Sequence, residues 1–283
     1  MGGAIARLSE VGLEYFEHGS GPETVVLVHG FQASARIWHA VQRALPAERY
    51  RSVAVNNRGA GASDAPPGEA DFTIRKFASD LHELVVHLGL RDFTLVGHSM
   101  GGVTAMQFAV DHPALVKALV LLDPAGPDGP EMTDEQVERF LDERSAARRA
   151  ALARGAAAGG LDADESSFDP EQMRLLMADV AAASERRLRG SMRSMLRSRI
   201  GDRVRQLPMP ALLAAGDRDA LVPLAGMLET WRKLPPGSGL HVWHGVGHSP
   251  NVDRPAEVAA LLRRFVEVTV PAASARSRAG TDA

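Results

Sequence analysis

The sequence predicts an α/β fold: a mostly parallel central sheet with helices on both faces and a helical lid inserted between two strands. Short apolar, β-branched runs alternate along the chain with segments whose apolar residues recur at helical spacing. Continuous apolar runs of this length are typical of strands that are covered on both faces. One long segment carries helical patterns alone, which favours an insert over the carboxyl ends of the strands.

Six apolar runs predict the strands of the sheet, and the amino-terminal segment Ala4–Glu17 predicts an antiparallel pair at one edge. The six predicted strands are Thr24–His29, Arg51–Val55, Phe93–Val96, Ala118–Leu122, Ala211–Ala215 and Leu240–Trp243. The clearest helical patterns between them are Thr73–Leu88 and Gly101–Asp111. We therefore expect the core of the fold to comprise residues 1–126 and 208–270.

Residues 127–207 contain no strand-like run and are expected to form the helical lid. Its helix starts are marked by a Thr133–Gln136 capping box, by Pro170 after Asp169 and by Ser184. Inside the insert, the Gly- and Ala-rich stretch 154–164 predicts a mobile connection. The small, polar residues 271–283 predict a disordered tail.

The composition has no strong charge bias. Hydrophobic residues make up 45% of the 283 residues and charged residues 24%, which is usual for globular proteins, and the formal net charge is -3. This balance gives no electrostatic reason to expect nucleic acid or an anionic membrane as partner. The chain has no cysteine, which excludes disulfides, thiolate metal sites and a cysteine nucleophile. Without a signal peptide or an apolar span of ~20 residues, we expect a cytoplasmic protein.

The segment Gly97–Gly101 matches the pattern G-x-S-x-G and stands directly between a predicted strand and a predicted helix. A tight turn at this junction strains the serine backbone and leaves no room for side chains at the glycine positions. It also presents the serine hydroxyl at the positive end of a helix. Ser99 is therefore the predicted nucleophile.

A serine nucleophile needs a base, and the base needs an orienting carboxylate. His248 lies in a flexible Gly-rich turn just after the last predicted strand and is the predicted base, whereas His244 at the strand end is expected to be packed. Asp217, Asp219 and Asp123 each follow a predicted strand. Spacing alone does not choose among these three carboxylates.

The developing oxyanion needs two backbone N–H groups aimed at one point. The first is predicted to be the N–H of Met100, the residue after the nucleophile. The second is predicted to be the N–H of Phe31, because the loop after the strand Thr24–His29 reads His29-Gly30-Phe31. The pattern requires no metal and no cofactor, and a small molecule is the expected substrate.

Five segments in a fixed order carry a resemblance to the α/β-hydrolase superfamily over about Val11 to Val268. They are His29–Phe31, Asn57–Asp64, Gly97–Gly102, Gly216–Asp219 with Pro223, and Gly245–His248 with Arg254-Pro255. The resemblance is to the branch of lidded esterases, epoxide hydrolases and carbon–carbon hydrolases. It implies that Asp219 is the acid, with Asp123 as a reserve, and that the amides of Phe31 and Met100 form the oxyanion hole.

The residues around the nucleophile favour an esterase or lactonase within that branch. Dehalogenases and epoxide hydrolases of the family use an aspartate where this chain has Ser99. Ring-cleavage carbon–carbon hydrolases often carry Asn where this chain has His98. Hydrolysis of a vinylogous diketone, an acyl thioesterase, and a ligand-binding or signalling protein on the same fold remain as alternatives.

The segment from Ser184 to Arg205 is rich in arginine, with eight arginines against Glu185 and Asp202. Four of them share a helical face by their spacing: Arg186, Arg189, Arg193 and Arg197. A solvated arginine face with an apolar face over the pocket is the simpler interpretation, and an anion-binding Arg193 is the alternative. The candidate pocket residues are His98, Met192, Arg193, Met195 and Leu196.

Overall fold

The structure is a computed structural model and describes residues 2–153 and 170–279. In these residues eight strands form one sheet. The strands are β1 (Ala4–Arg7), β2 (Gly12–His18), β3 (Glu23–Val28), β4 (Tyr50–Val55), β5 (Phe93–His98), β6 (Val116–Leu122), β7 (Ala211–Gly216) and β8 (Gly239–Trp243). The predicted strands agree with these bounds to within two residues at either end.

The strand order is β1-β2-β4-β3-β5-β6-β7-β8. Strands β3 to β8 pair in parallel, while β1 with β2 and β2 with β4 pair antiparallel. The parallel strands all end at one edge of the sheet, so the loops that follow β3, β5, β6, β7 and β8 meet there. The predicted mostly parallel sheet with an antiparallel edge is confirmed.

Helices cover both faces of this sheet. They are α1 (His39–Ala44), α2 (Ile74–His87), α3 (Met100–Asp111), α4 (Asp134–Ala153), α5 (Pro170–Ala182), α6 (Glu185–Leu196), α7 (Gly201–Val204), α8 (Leu224–Arg232), α9 (Pro250–Asp253) and α10 (Pro255–Ala279), with 3-10 turns at Ala35–Trp38, Glu69–Asp71 and Pro113–Leu115. The capping box at the start of α4 is present, since the Thr133 N–H donates to Gln136 Oε1 over 2.7 Å and the Gln136 N–H to Thr133 Oγ1 over 3.2 Å.

The core is divided by the sheet into two apolar clusters. Alternate residues of β3 point to opposite faces: Val26 and Val28 belong to the cluster under α2 and α3, while Val25 and Leu27 belong to the cluster under α1 and α10. All four side chains are buried. Because each face is covered, residues 25–28 of β3 are apolar at every position rather than at every second one.

Helices α4 to α7 lie between β6 and β7, in the segment expected to form the insert. The predicted mobile connection at 154–164 lies outside the described residues. Helix α10 runs to Ala279, so residues 271–279 are helical where a disordered tail is expected, and 280–283 are not described. Their alanines and arginines are strong helix formers that extend an existing helix. Within the described residues, no helix has the length and apolarity to cross a membrane.

A buried ion pair joins the loop after β4 to helix α2. Arg58 Nε and Nη2 donate to the two carboxylate oxygens of Asp80 over 2.6 and 2.5 Å. Both residues are almost completely buried, and Arg58 also donates to the Asp71 carbonyl and to Glu10. Removing one partner of such a pair leaves an uncompensated charge in the interior.

We expect Asp80→Ala to lower the free energy of unfolding by about 3–5 kcal/mol, since Arg58 then stays buried without its main partner. Urea denaturation measures the loss. The control is Arg139→Gln, which breaks the exposed pair with Glu135 and is expected to cost under about 0.5 kcal/mol. Similar losses in the two variants would contradict this role of the Arg58–Asp80 pair.

Candidate active site

Ser99 occupies the turn between β5 and α3 in a left-handed backbone conformation, with φ 53° and ψ -119°. Three backbone hydrogen bonds hold this turn. The Ser99 N–H donates to the Leu122 carbonyl over 3.0 Å, and the Ser99 carbonyl accepts from the N–H groups of Gly102 and Ala125 over 2.8 and 3.0 Å. The strained conformation is therefore fixed by contacts with the end of β6 and the first turn of α3.

The glycines on either side of Ser99 allow backbone contacts that no side chain would permit. A Cβ atom at Gly97 would lie 2.2 Å from the Gly101 carbonyl oxygen, and one at Gly101 would lie 2.3 Å from the Val28 carbonyl oxygen. Only glycine fits at both positions. As a result, the amino end of α3 packs directly against β3 and β5, and Ser99 sits at the positive end of the helix dipole.

The loop after β3 lies next to Ser99. A Cβ atom at Gly30 would come within 3.0 Å of the Ser99 Cβ, so the two loops are in contact. Among the described residues, no acceptor binds the backbone N–H of Phe31 or of Met100. Both predicted oxyanion donors therefore stand beside the serine without a partner from the described chain.

His29 connects this loop to the loop after β4. No role was assigned to it from the sequence. It is fully buried; its Nε2 accepts from the Asn57 N–H over 3.1 Å, so Nδ1 carries the proton and donates to the Gly30 carbonyl over 2.8 Å. Burial lowers the pKa of His29 to about 3. The neutral imidazole thus ties Gly30 to the loop after β4. The feature of the sequence that could have indicated this role is the position of His29 at the end of a buried apolar strand.

Asp219 and His248 meet at the ends of β7 and β8. Asp219 Oδ2 and His248 Nδ1 are 2.6 Å apart, and Asp219 Oδ1 accepts from the N–H groups of Leu221 and Val222 over 2.7 and 2.8 Å. Burial alone would raise the pKa of Asp219, but the bonds from His248 and the two amides hold it below its usual range. Asp219 is therefore an ionised carboxylate that orients His248.

The alternative acid Asp217 belongs to a different, exposed pair. Its carboxylate accepts from the Gly245 N–H over 2.7 Å and lies 2.7 Å from His244 Nδ1. The His244 side chain is 91% exposed, so the expectation that it is packed is wrong. His244 follows the buried Trp243 at the end of β8 and turns to solvent, while the Gly-rich turn after it carries His248 inward.

His98, predicted to line a substrate pocket, lies instead behind His248. Its Nε2 is 2.7 Å from the His248 carbonyl oxygen, and the two rings are 5.0 Å apart at their centroids. Burial, and next the positive charge that His248 can carry, lower the pKa of His98 to about 3. His98 is thus a neutral donor that fixes the backbone of the His248 loop.

Asp123, Asp219 and His248 are the three side chains in the described residues whose donor atoms group closely enough to suggest a metal. Two ligands at ~2.1 Å from one tetrahedral zinc ion would stand roughly 3.4 Å apart. The 2.6 Å between Asp219 and His248 is a hydrogen-bond distance and leaves no place for an ion between them. The donor set does not fit a metal.

Comparison with known proteins places this geometry in a family. The family model described as alpha/beta hydrolase fold matches residues 23–255. The chain belongs to the α/β-hydrolase family. A protein of Mycobacterium tuberculosis without an assigned activity is 30% identical over 281 residues, covering 90% of this chain and 78% of that protein.

Solved structures of other proteins share this fold. A bromoperoxidase from Bacillus anthracis superposes with a TM-score of 0.80 at 25% identity, covering 94% of this chain and all of that one. A thermophilic esterase from Thermogutta terrifontis superposes with a TM-score of 0.77 at 26% identity, covering 94% and 98%. The family and these relatives support a hydrolase that acts on a small molecule.

A cavity of about 400 Å³ lies beside the site of this α/β-hydrolase. Phe31 and Leu221, from the loops that carry the oxyanion donor and Asp219, line it on the side of the sheet. Its other apolar walls come from α4 and α6: Leu141, Ala147, Ala151, Leu188 and Met192. Ser99 itself is not among the wall residues, and neither are the predicted pocket residues His98, Arg193, Met195 and Leu196.

Most of the arginine face of α6 contacts acidic residues, and Arg189 also borders the cavity. Arg189 donates to Asp142 and Glu138 over 2.6 and 3.1 Å, and Arg193 pairs with Glu138 and Glu69. Both guanidinium groups are therefore engaged inside the protein. These contacts do not support Arg193 as a substrate anchor. Within the predicted face, Arg189, Arg193 and Arg197 are ion-paired, whereas Arg186 is exposed.

Arg187, on the same helix, is buried and anchors the insert to the core. Its Nη2 donates to the Ala33 carbonyl over 3.0 Å and its Nη1 to the Gly59 carbonyl over 3.2 Å. The side chain is 1% exposed, and burial lowers the pKa of Arg187 to about 10. The helical period alone could not separate this arginine from its exposed neighbours.

We expect Arg187→Met to lower the free energy of unfolding by about 1–3 kcal/mol, because two buried carbonyls lose their donor. Thermal or urea unfolding measures the change. The neighbouring Arg186→Met is the matched control, since Arg186 is exposed and, among the described residues, donates only to the Pro66 carbonyl. Its expected cost is under about 0.5 kcal/mol. Equal effects at the two positions would count against the anchoring role.

Proposed function

We propose that this α/β-hydrolase is a serine hydrolase that cleaves a carboxylic ester or lactone through an acyl-enzyme intermediate. The observation that carries the proposal is the buried 2.6 Å contact between Asp219 and His248, set beside a serine in a strained strand-to-helix turn. A histidine oriented by an ionised carboxylate is the base that an unactivated serine hydroxyl needs.

In the proposed mechanism Ser99 Oγ attacks the carbonyl carbon of the substrate while His248 Nε2 takes the hydroxyl proton. The protonated His248 then passes that proton to the leaving alcohol, and the acyl group stays on Ser99. Water, deprotonated by His248, attacks the acyl carbon in the second half and releases the acid. Asp219 holds the imidazole with Nδ1 protonated and stabilises the imidazolium that forms in each half.

The oxyanion of each tetrahedral intermediate would be bound by the N–H groups of Phe31 and Met100. Their lack of acceptors among the described residues supports this role, since a preformed hole keeps its donors free for the transition state. The neutral His29 bond to the Gly30 carbonyl and the first turn of α3 hold the two donors in place. Neither donor would need to move during the reaction.

The cavity supports a neutral, apolar group on the substrate. Its walls nearest the site are apolar, and two of the arginines that line it are ion-paired, Arg149 with Glu185 and Arg189 with Asp142. Arg148 donates to the Ala183 carbonyl, and Arg144 lies over the Phe140 ring. We propose that an acyl chain of several carbons extends from Ser99 past Phe31 and Leu221 toward Met192. The insert would then act as the lid over the substrate.

Ser99→Ala is expected to abolish labelling by a fluorophosphonate probe and to lower kcat by roughly 10⁴-fold or more, because the nucleophile is lost. A panel of p-nitrophenyl esters, lactones, acyl thioesters and ring-cleavage dienoates measures turnover. Ser20→Ala, at an exposed serine, is the matched control and keeps both activities. Turnover of the dienoates alone would favour carbon–carbon hydrolysis, and the absence of labelling in the natural chain would reject the serine mechanism.

Met192→Trp is expected to lower kcat/KM for hexanoate and octanoate esters by about tenfold and to leave acetate esters within about twofold, because the larger ring shortens the cavity. The ratio of long-chain to acetate kcat/KM is the measurement. Leu240→Trp on β8, away from the cavity, is the control. An unchanged ratio would show that the acyl chain does not occupy this cavity.

A further inference from the structure

A second carboxyl group lies behind the proposed acid. Asp123 follows β6 directly, with its backbone in the left-handed region at φ 41°, and its side chain is completely buried. Its backbone N–H donates to the Ala214 carbonyl over 2.9 Å, and its Oδ1 accepts from the Gly216 N–H over 2.9 Å. Both contacts fix Asp123 against the end of β7, the strand that leads to Asp219.

The other carboxyl oxygen of Asp123 has no hydrogen-bond donor. Oδ2 is buried and receives no bond from any described residue. One carboxyl oxygen of Asp123, one of Asp219 and one ring nitrogen of His248 all lie within 4.8 Å of each other. A buried polar oxygen without a hydrogen-bond partner lowers the stability of the folded state. A proton on Asp123 would let this oxygen donate to Asp219 and so remove the cost.

The partners of each carboxyl decide where that proton lies. Two carboxyls in contact in a buried site do not both ionise readily. Asp219 receives three hydrogen bonds, from His248 and from the amides of Leu221 and Val222, which favour its charged form. Asp123 receives one, from Gly216. The negative charge therefore stays on Asp219 and the proton on Asp123.

We infer that Asp123 is a positioning residue whose protonated carboxyl donates a hydrogen bond to the Asp219 carboxylate, in support of the proposed role of Asp219 in orienting His248. Asp123 thereby gives the Asp219 carboxylate a further hydrogen bond and keeps the carboxyl pair at one negative charge. It takes no part in bond making. A carboxyl oxygen of Asp123, the Asp219 carboxylate and His248 Nδ1 thereby form one hydrogen-bonded chain that connects the ends of β6, β7 and β8.

The charged and titratable groups around Asp123 agree with this assignment. Asp219 faces it from the β7 loop and His248 from the β8 loop, and beyond His248 lies the neutral His98 at the end of β5. Burial, and after it the negative charge of Asp219, raise the pKa of Asp123 to about 9. The group is therefore protonated at neutral pH.

The sign of the pH dependence follows from this shift. The folded protein holds the Asp123 proton up to about pH 9, whereas the unfolded chain releases it near pH 4. The contribution of this proton to stability is thus fully present below about pH 4 and is lost as the pH rises to about 9. Asp123→Asn has no proton to lose, so the natural chain becomes less stable relative to this variant across that range.

The first experiment measures the unfolding equilibrium constant of the natural chain and of Asp123→Asn between pH 5 and 8.5. We expect the ratio of the two constants to change about tenfold per pH unit in favour of the variant. The matched control is Asp92→Asn, the same substitution at an exposed aspartate that also has a left-handed backbone, φ 53°. A ratio for Asp123→Asn as flat as that of the control would overturn the protonated carboxyl.

The wild-type chain provides the same test if Asp123→Asn does not fold. Carbon-13 NMR of aspartate-labelled protein follows each carboxyl with pH. A buried carboxyl that stays protonated at pH 7 and titrates near pH 9 supports the inference. If every aspartate titrates below about pH 5, the inference is wrong.

The positioning role has its own readouts. We expect Asp123→Ala to lower kcat by about 10- to 100-fold with little change in KM, because Asp219 loses one hydrogen bond to its charged carboxylate. We expect Asp123→Asn to recover part of the lost kcat, because its amide can still donate to Asp219. Unchanged kcat in Asp123→Ala, or no recovery in Asp123→Asn, would contradict the role.

An activity-free measurement separates this inference from the proposed function. The proton NMR resonance of His248 Nδ1–H should move in Asp123→Ala and return toward the wild-type position in Asp123→Asn. If the resonance behaves in this way but fluorophosphonate does not label Ser99, the serine mechanism fails while the hydrogen-bonded chain stands. A resonance that does not respond to Asp123 overturns the chain itself.

Discussion

The close approach of helix α3 to strands β3 and β5 is the constraint on which the rest of the site depends. It brings the Gly101 position to van der Waals contact with the Val28 carbonyl and forces Ser99 into its left-handed conformation. Such a conformation costs about 1–3 kcal/mol, which the three backbone hydrogen bonds at Ser99 offset. The loop after β3 packs against the serine turn, since a Cβ atom at Gly30 would lie 3.0 Å from the Ser99 Cβ.

Three histidines near the carboxyl edge of the sheet differ in function because their partners differ. His29 and His98 are buried against neutral backbone carbonyls, so burial keeps them uncharged and they act as fixed donors. His248 alone of the three has a carboxylate on Nδ1. The same residue type thus provides two neutral supports and one imidazole held by a carboxylate, which is the group that we propose as the base, and the neighbouring atoms decide which.

The fold could be predicted from the sequence because the central parallel strands carry runs of consecutive apolar residues, such as 25–28 and 118–122. Ser99 could be predicted because its turn requires glycines at fixed positions. Asp217 and Asp219 could not be separated by spacing, since both follow β7 and only the direction of the turn sends one to His244 and the other to His248. The acidic partners of the α6 arginines could not be predicted from the sequence either. Glu69 and Glu138 belong to elements distant in the chain, and helical period carries no information about them.

The insert is coupled to the site through the loop after β3. Arg187 donates to the Ala33 carbonyl, and Asp179 of α5 accepts from Ser34 Oγ over 2.6 Å and from Arg36 Nε over 3.1 Å. These contacts begin two residues after Phe31, which lines the cavity and follows Gly30 at the contact with Ser99. The cavity wall that we propose contacts the substrate and the donor that would stabilise its oxyanion therefore share one support. A change that shifts α5 or α6 should alter both substrate choice and turnover, because the loop cannot follow one without the other.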